Sequence, residues 1–180
     1  LLELINDLLD FSKIEAGRME LEPVPFDLSE LMQSVVDILK LRAEMKGLAF
    51  TCVLAPSLPP FLLGDPLRFR PLLLTLAGNA VKFTQVGSVQ IQVDVLGQQL
   101  QARSQEVIYD LLFRVVDTGQ GISEEDQQRI FEDYAQAQQP RHLREKGTGL
   151  GLSICRTLVQ MMEGALEVES EVGRGTTFFV

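Results

Sequence analysis

Val115-Val116-Asp117-Thr118-Gly119-Gln120-Gly121-Ile122 takes an apolar strand into a glycine-rich turn, with an aspartate at the junction. Upstream, Val107, Tyr109, Leu111, Phe113 and Val115 alternate with Ile108, Asp110, Leu112, Arg114 and Val116. In a strand the odd positions share one face, and that face is apolar until Asp117, which therefore points toward a core. A carboxylate there is costly unless something donates to it. Gly119 and Gly121 allow positive φ, or close approach of a ligand to the backbone. Two readings fit this stretch alone: an aspartate that caps its own turn, or one held ready for a ligand's donor.

Working outward, the preceding strand has Val89, Ile91, Val93 and Val95 alternating with Ser88, Gln90, Gln92 and Asp94, one dry face and one wet. Gly97 to Glu106 is polar and reads as a long hairpin loop. Before that strand, Asp65-Pro66 opens a helix as N-cap and first residue. The helix carries Leu76-Ala77-Gly78-Asn79-Ala80-Val81-Lys82-Phe83-Thr84, in which Asn79, Lys82 and Phe83 are spaced to share a face. After Ile122, Ser123-Glu124-Glu125 starts a short acidic helix, and Ile130-Phe131 and Tyr134 follow. Gln136 to Lys146 has no hydrophobic period and reads as mobile. Then Gly147-Thr148-Gly149-Leu150-Gly151-Leu152 leads into a helix with Ile154, Leu158, Val159 and Met162, expected to stop at Gly164. Leu166 and Val168 mark a strand, Gly173-Arg174-Gly175 a turn, and Thr176, Phe178 and Val180 the inner face of a last strand.

At the other end, Leu2, Ile5, Leu8, Leu9 and Phe11 stripe a helix that stops near Ala16-Gly17. Such a stripe packs on its own domain or in a multi-helix dimer stem. Glu22-Pro23-Val24-Pro25 reads as a short linker. Asp27-Leu28-Ser29-Glu30 resembles an acidic capping box. Its helix uses Leu31, Val35 and Leu39 and ends near Gly47; Leu48 to Leu54 is a strand, and Ala55 to Pro60 a loop.

Composition narrows the class. The 180 residues are 46% hydrophobic, enough for one sizeable domain and an extension. No apolar run approaches the roughly 20 residues that span a bilayer. The chain opens mid-pattern without methionine, so it is expected to be a piece of a longer protein whose other parts are free to reach a membrane. A net charge of −9 argues against nucleic acid as a general partner, while local N–H groups and cations can still hold a polyanion. Cys52 and Cys155 fall in apolar patterns, which points to buried thiols in a reducing compartment and a cytoplasmic location. One histidine, His142, and two scattered cysteines do not make a transition-metal site.

Gly147 to Gly151 is not a dinucleotide fingerprint, because Leu152 stands where the third glycine is needed, and no segment is a P-loop. The glycines do place N–H groups at a helix start, where phosphate binds readily. Together and in this order, the clusters resemble the ATP-binding domain of sensor histidine kinases, in the superfamily shared with gyrase, the Hsp90 chaperones and MutL. Asn79 with Lys82-Phe83 resembles the N box, and Asp117 with Gly119 and Gly121 the first glycine box. Phe131 and Tyr134 are similar to the F box, Gly147-Thr148-Gly149-Leu150-Gly151 to the second glycine box, and Gly173 to Phe178 to the last. Asp10 to Gly17 resembles the end of the second dimerisation helix of hybrid kinases.

The resemblance implies an α/β two-layer sandwich of the Bergerat type, a mixed sheet covered on one face by helices, plus an N-terminal helical stub. It divides the chain into residues 1–22, the end of the dimerisation helix and linker, and residues 23–180, the catalytic ATP-binding domain. It implies that Asp117 accepts from the adenine amino group, with Thr176 helping through water. Asn79 would ligate Mg²⁺, Lys82 neutralise phosphate, and Phe83 and Ile122 pack near the base. Gly119, Gly121, Arg144, Gly147, Thr148, Gly149, Leu150 and Gly151 would complete the nucleotide site, under a mobile lid at 122–152. The implied reaction passes the γ-phosphoryl of ATP to a histidine outside this chain, on a helix of the same or a partner subunit. A receiver domain or response regulator and a homodimeric parent complete the partners implied, with no nucleic acid and no membrane contact from this chain.

Four positions depart from the pattern. Thr75 stands where many relatives have Asn and the hydrolysing cousins have a Glu, and a threonine hydroxyl is no general base at neutral pH. Pro71 lies inside the N-box helix, where proline costs about 3 kcal/mol, so the helix either kinks there or starts later. Lys146 replaces a glycine, and His142 has no carboxylate in obvious register to orient it as a phosphoacceptor. Thr75 and Pro71 support one alternative, a nucleotide-binding regulatory module without phosphotransfer; a third reading, an ATP-driven clamp, is weakened by Thr75 and by the kinase-like stub.

Overall fold

The computed structural model describes residues 12–14, 16–101, 107–132 and 149–180. A helical turn at 12–14 stops at the expected place. The Gly17 N–H meets the Ile14 carbonyl and the Arg18 N–H meets Lys13, both at 2.9 Å, the paired bonds of a helix C-terminus. The apolar stripe from Leu2 to Phe11 lies outside the described residues.

Strand β1 (Val24–Asp27) pairs antiparallel with β3 (Phe61–Gly64), so the proline-rich stretch is not the plain linker its composition suggests, nor does a loop lead straight from Pro60 to the next helix. A two-stranded ribbon leaves each strand an unpaired edge, which is where proline is tolerated. Phe26 and Leu62 pack against the core. Asp27 caps helix α1 (Leu28–Met45), accepting from the N–H groups of Ser29 and Glu30 at 2.8 and 3.1 Å. Leu31, Val35 and Leu39 are buried as their period requires, with Leu28, Met32 and Ala43 beside them.

Strand β2 (Ala49–Leu54) follows. Helix α2 (Pro66–Phe83) is capped by Asp65, which accepts from the Arg68 N–H at 3.0 Å. The Phe69 N–H already reaches the Asp65 carbonyl at 2.9 Å, so the helix begins at Pro66 and runs through Pro71 instead of starting after it. Pro71 is exposed, as is Leu67, whose carbonyl would have received the missing N–H. Water can meet that carbonyl there.

The main sheet is mixed, with strand order β2-β4-β5-β7-β6: β4 is Ser88–Leu100, β5 Val107–Asp117, β6 Glu167–Glu171 and β7 Gly175–Phe179. Only β2 and β4 run parallel; the other neighbours are antiparallel. Val89, Ile91, Val93, Phe113, Val115 and Phe178 face inward and are buried against α1, α2 and α4 (Gly151–Met161). The expected loop from Gly97 is shorter than its polarity suggests. Gly97 to Leu100 pair with Val107 to Asp110 beyond a bulge after Val95, because ladder bonds use the backbone and tolerate glutamine side chains. Helix α4 also ends differently. Glu163, not Gly164, takes the left-handed turn, with φ 60°, and the Gly164 N–H closes on the Val159 carbonyl at 2.9 Å.

Candidate functional site

Asp117 ends β5 facing inward, 7% exposed, between Val89 of β4 and Thr176 of β7. Its Oδ1 accepts from the Gly119 N–H at 2.8 Å, so it does cap its own turn. A carboxylate has about four acceptor sites, so capping the turn does not by itself exhaust them. Burial pushes its pKa above the ordinary 3.8, while the N–H groups of Gly119 and Thr176 and the Thr84 hydroxyl pull the other way. Thr84 has one proton for two acceptors, because the same hydroxyl donates to the Ala80 carbonyl at 2.8 Å. Turning it toward Asp117 would give up that helix cap.

The turn after Asp117 admits little but glycine. A Cβ on Gly119 would stand 2.8 Å from both Asp117 Oδ1 and the Phe83 carbonyl, which locks the turn against the end of α2. Gly121, at φ 72°, presses on β6, where a Cβ would lie 2.1 Å from the Glu171 carbonyl. Bonds staple the same turn to the β6–β7 hairpin: Gly173 N–H to the Gln120 carbonyl at 2.8 Å, and Ile122 N–H to Ser170 Oγ at 2.8 Å. Gln127, in the short helix α3 (Glu124–Gln127) capped by Ser123, donates its amide to the Ile122 and Ser170 carbonyls at 2.8 and 2.9 Å.

On α2, Asn79, Lys82 and Phe83 are half-buried beside the inward-facing Ala80 and Val81. Lys82 and Phe83 meet directly, Nζ lying 4.9 Å from the ring centroid. The last carbonyls of this helix are held from outside. Lys46, just past α1, donates to those of Val81 and Lys82, each at 2.8 Å. A lysine at a helix C-terminus also complements the dipole.

Helix α4 begins over the same face of α2. A Cβ on Gly151 would lie 3.0 Å from Thr75 Cγ2, and Thr75 is one turn before Asn79. Its N-cap, Leu150, is buried, and among the described residues no side chain caps the first turn; a helix start of this kind turns backbone N–H groups toward an anion. Gly149, Leu150 and Gly151 stand at this helix start, whereas Arg144, Gly147 and Thr148, with Arg141, His142 and Lys146, lie outside the described residues. Phe131 stacks edge-on against Phe178 with ring centroids 6.4 Å apart, and Tyr134 is not among the described residues.

Sequence reasoning missed Ser170, Gln127, Thr84 and Lys46. For Ser170 there was a signal: it continues the inward parity of Leu166 and Val168, opposite Thr176, where a hydroxyl needs a partner. Lys46 gave none, since its partners are backbone carbonyls distant in sequence. Among the described residues no group of three His, Cys, Asp or Glu could hold a metal. Mg²⁺ takes hard oxygen donors and keeps several waters beside substrate phosphates, and the Asn79 amide oxygen is a donor of that type.

Residues 64–180 match the family described as histidine kinase-, DNA gyrase B-, and HSP90-like ATPase. The chain is 40% identical to hybrid signal transduction histidine kinase K of Dictyostelium discoideum, over 99% of this chain and 15% of that protein. It is also 40% identical to signal transduction histidine-protein kinase BarA of Escherichia coli K12, over 99% of this chain and 19% of BarA. The chain thus spans less than a fifth of these relatives. Among solved structures it is similar to full-length ShkA in complex with AMPPNP, with a TM-score of 0.80 and 34% identity over 99% of this chain and 34% of ShkA. The Acinetobacter baumannii histidine kinase AdeS shares the fold at a TM-score of 0.73 and 20% identity, over 99% of this chain and 76% of AdeS.

Proposed function

This chain belongs to the family of histidine kinase-, DNA gyrase B- and HSP90-like ATPases, and we propose that it is the Mg²⁺–ATP-binding catalytic domain of a sensor histidine kinase. In this reading Asp117 accepts from the adenine amino group, with Thr176 beside it, and Phe83 and Ile122 border the base. Gly119 and Gly121 let the turn pass close to the nucleotide. Lys82 and the Gly151 N–H at the start of α4 take phosphate charge, together with Arg144, Gly147, Thr148, Gly149 and Leu150. Asn79 offers its amide oxygen to Mg²⁺. ATP supplies the γ-phosphoryl, and the chain positions it and neutralises its charge, the main protein contribution to phosphoryl transfer.

The observation that carries this reading is the approach of Gly151 to Thr75. It brings the start of α4 against the face of α2 that carries Thr75, Asn79 and Lys82, so one anion would meet both. The residue at that contact is a threonine, which cannot serve as a base toward water, and this favours transfer over hydrolysis. The acceptor would be a histidine on a dimerisation helix of the same or a partner subunit, with residues 1–22 the end of that element. A receiver domain or response regulator downstream, a homodimeric parent and a cytoplasmic location belong to the same proposal.

The test is radiolabelled ATP and Mg²⁺ with the chain alone, then with a purified dimerisation domain of its parent. The expected result is acid-labile label on the added domain and none on the chain. Label on the chain that His142→Ala removes would overturn it. ATP binding without label on either partner would favour a regulatory module.

A further inference from the structure

Ser170 lies on β6 directly opposite Thr176. Its hydroxyl meets three groups: the Ile122 N–H at 2.8 Å, the Gly175 carbonyl at 2.8 Å and the Thr176 hydroxyl at 2.9 Å. A serine hydroxyl has one proton and two lone pairs. The Ile122 N–H can only donate and the Gly175 carbonyl can only accept, so the serine proton goes to Gly175. Thr176 then gives its own proton to Ser170, and every contact is satisfied at once. What Thr176 has left is lone pairs. Across the ladder stands Asp117, which when ionised also only accepts. Two adjacent acceptors select a group that donates.

We infer that Ser170 is a specificity-determining positioning residue for the nucleotide base: by taking the Thr176 proton, it keeps this corner acceptor-only. The corner then favours a purine with an amino group at its 6-position over one with a carbonyl there. Ser170 does this without touching the base. Gln127 fixes the arrangement from the other side, its amide bridging the Ile122 and Ser170 carbonyls at 2.8 and 2.9 Å. Without Ser170 the Thr176 hydroxyl is a free rotor, able to present either a proton or a lone pair. The inference rests on the ATP-binding reading above.

The experiment is titration calorimetry of the chain with ATP and with inosine triphosphate, which carries the 6-carbonyl. The wild-type chain is expected to prefer ATP. Ser170→Ala should lower the ATP-to-inosine preference about threefold to tenfold, the worth of one net hydrogen bond. In a Thr176→Val background the same change should leave the preference where it stands. Ser170→Cys keeps the volume with a much weaker donor and acceptor, and carries the same expectation should the alanine variant fold poorly. A folded variant that loses both nucleotides equally, with the preference intact, overturns the inference and makes Ser170 a structural residue. A wild-type chain that binds both nucleotides equally overturns it while leaving nucleotide binding in place. Failure to bind either nucleotide overturns the ATP reading itself.

Discussion

Asp117 is desolvated by the fold and only partly compensated by the Gly119 and Thr176 N–H groups and the Thr84 hydroxyl. Its native pKa therefore lies above its unfolded value, so the contribution of this group to stability is fully present below the unfolded value and lost as pH rises through the native one. Burial thus disfavours the charged form of Asp117, and a ligand's donor would relieve that cost. Asp117→Asn should therefore raise the unfolding temperature at neutral pH and cost ATP binding roughly 1.5–3 kcal/mol, the scale of a hydrogen bond to a charged group. Wild-type affinity should also fall as the pH drops through the raised pKa, while that of Asp117→Asn stays flat. Calorimetry across pH checks both, and unchanged affinity in a folded Asp117→Asn protein would remove adenine recognition from this residue. Asn79 is tested differently, because its proposed partner is a metal. Asn79→Ala should weaken ATP binding several-fold in Mg²⁺ and little in EDTA, whereas equal losses would make it a structural amide.

Elements were most legible where one face decides everything. The strand into Asp117, the caps at Asp27 and Asp65 and the buried stripe of α1 all follow from period and capping chemistry. Legibility failed where a long-range partner overrides local composition. The ribbon of β1 and β3 forms because Phe26 and Leu62 find a common core, which no window on either segment alone reveals. The end of α4 is another case, since a glycine one residue on drew the stop away from Glu163. A non-glycine residue at φ 60° costs energy, and glycine there loses some of the gain to its freer unfolded chain. Glu163→Gly should thus stabilise the protein by about 0.5–1 kcal/mol. Urea titration would show a higher midpoint with unchanged ATP affinity. A lower midpoint would mean that the Glu163 side chain holds the turn by other contacts.

For the whole molecule, the open question is where the ATP-binding domain begins. Prolines 23 and 25 place the boundary at residue 23 when only sequence is weighed. The folded chain ties in earlier residues. Met19 is 8% exposed and belongs to the same core as α1 and α2, and the Glu22 N–H donates to Asp65 Oδ2 at 3.0 Å. Asp65 divides its carboxylate between that bond and the cap of α2, where Oδ1 accepts from Arg68. Residues 19–22 thus help fix the start of the helix that carries Asn79 and Lys82. Burying a methionine contributes about 1.5–3 kcal/mol, and a net hydrogen bond about 1 kcal/mol. A chain beginning at Val24 should accordingly be about 2.5–4 kcal/mol less stable than one beginning at Arg18. The comparison isolates this strap, since both chains lack everything before it. Met19→Ala in the longer chain should reproduce most of that loss. Equal stability of the two truncated chains would return the boundary to residue 23, and would leave the strap as a tether with no part in holding the nucleotide helix.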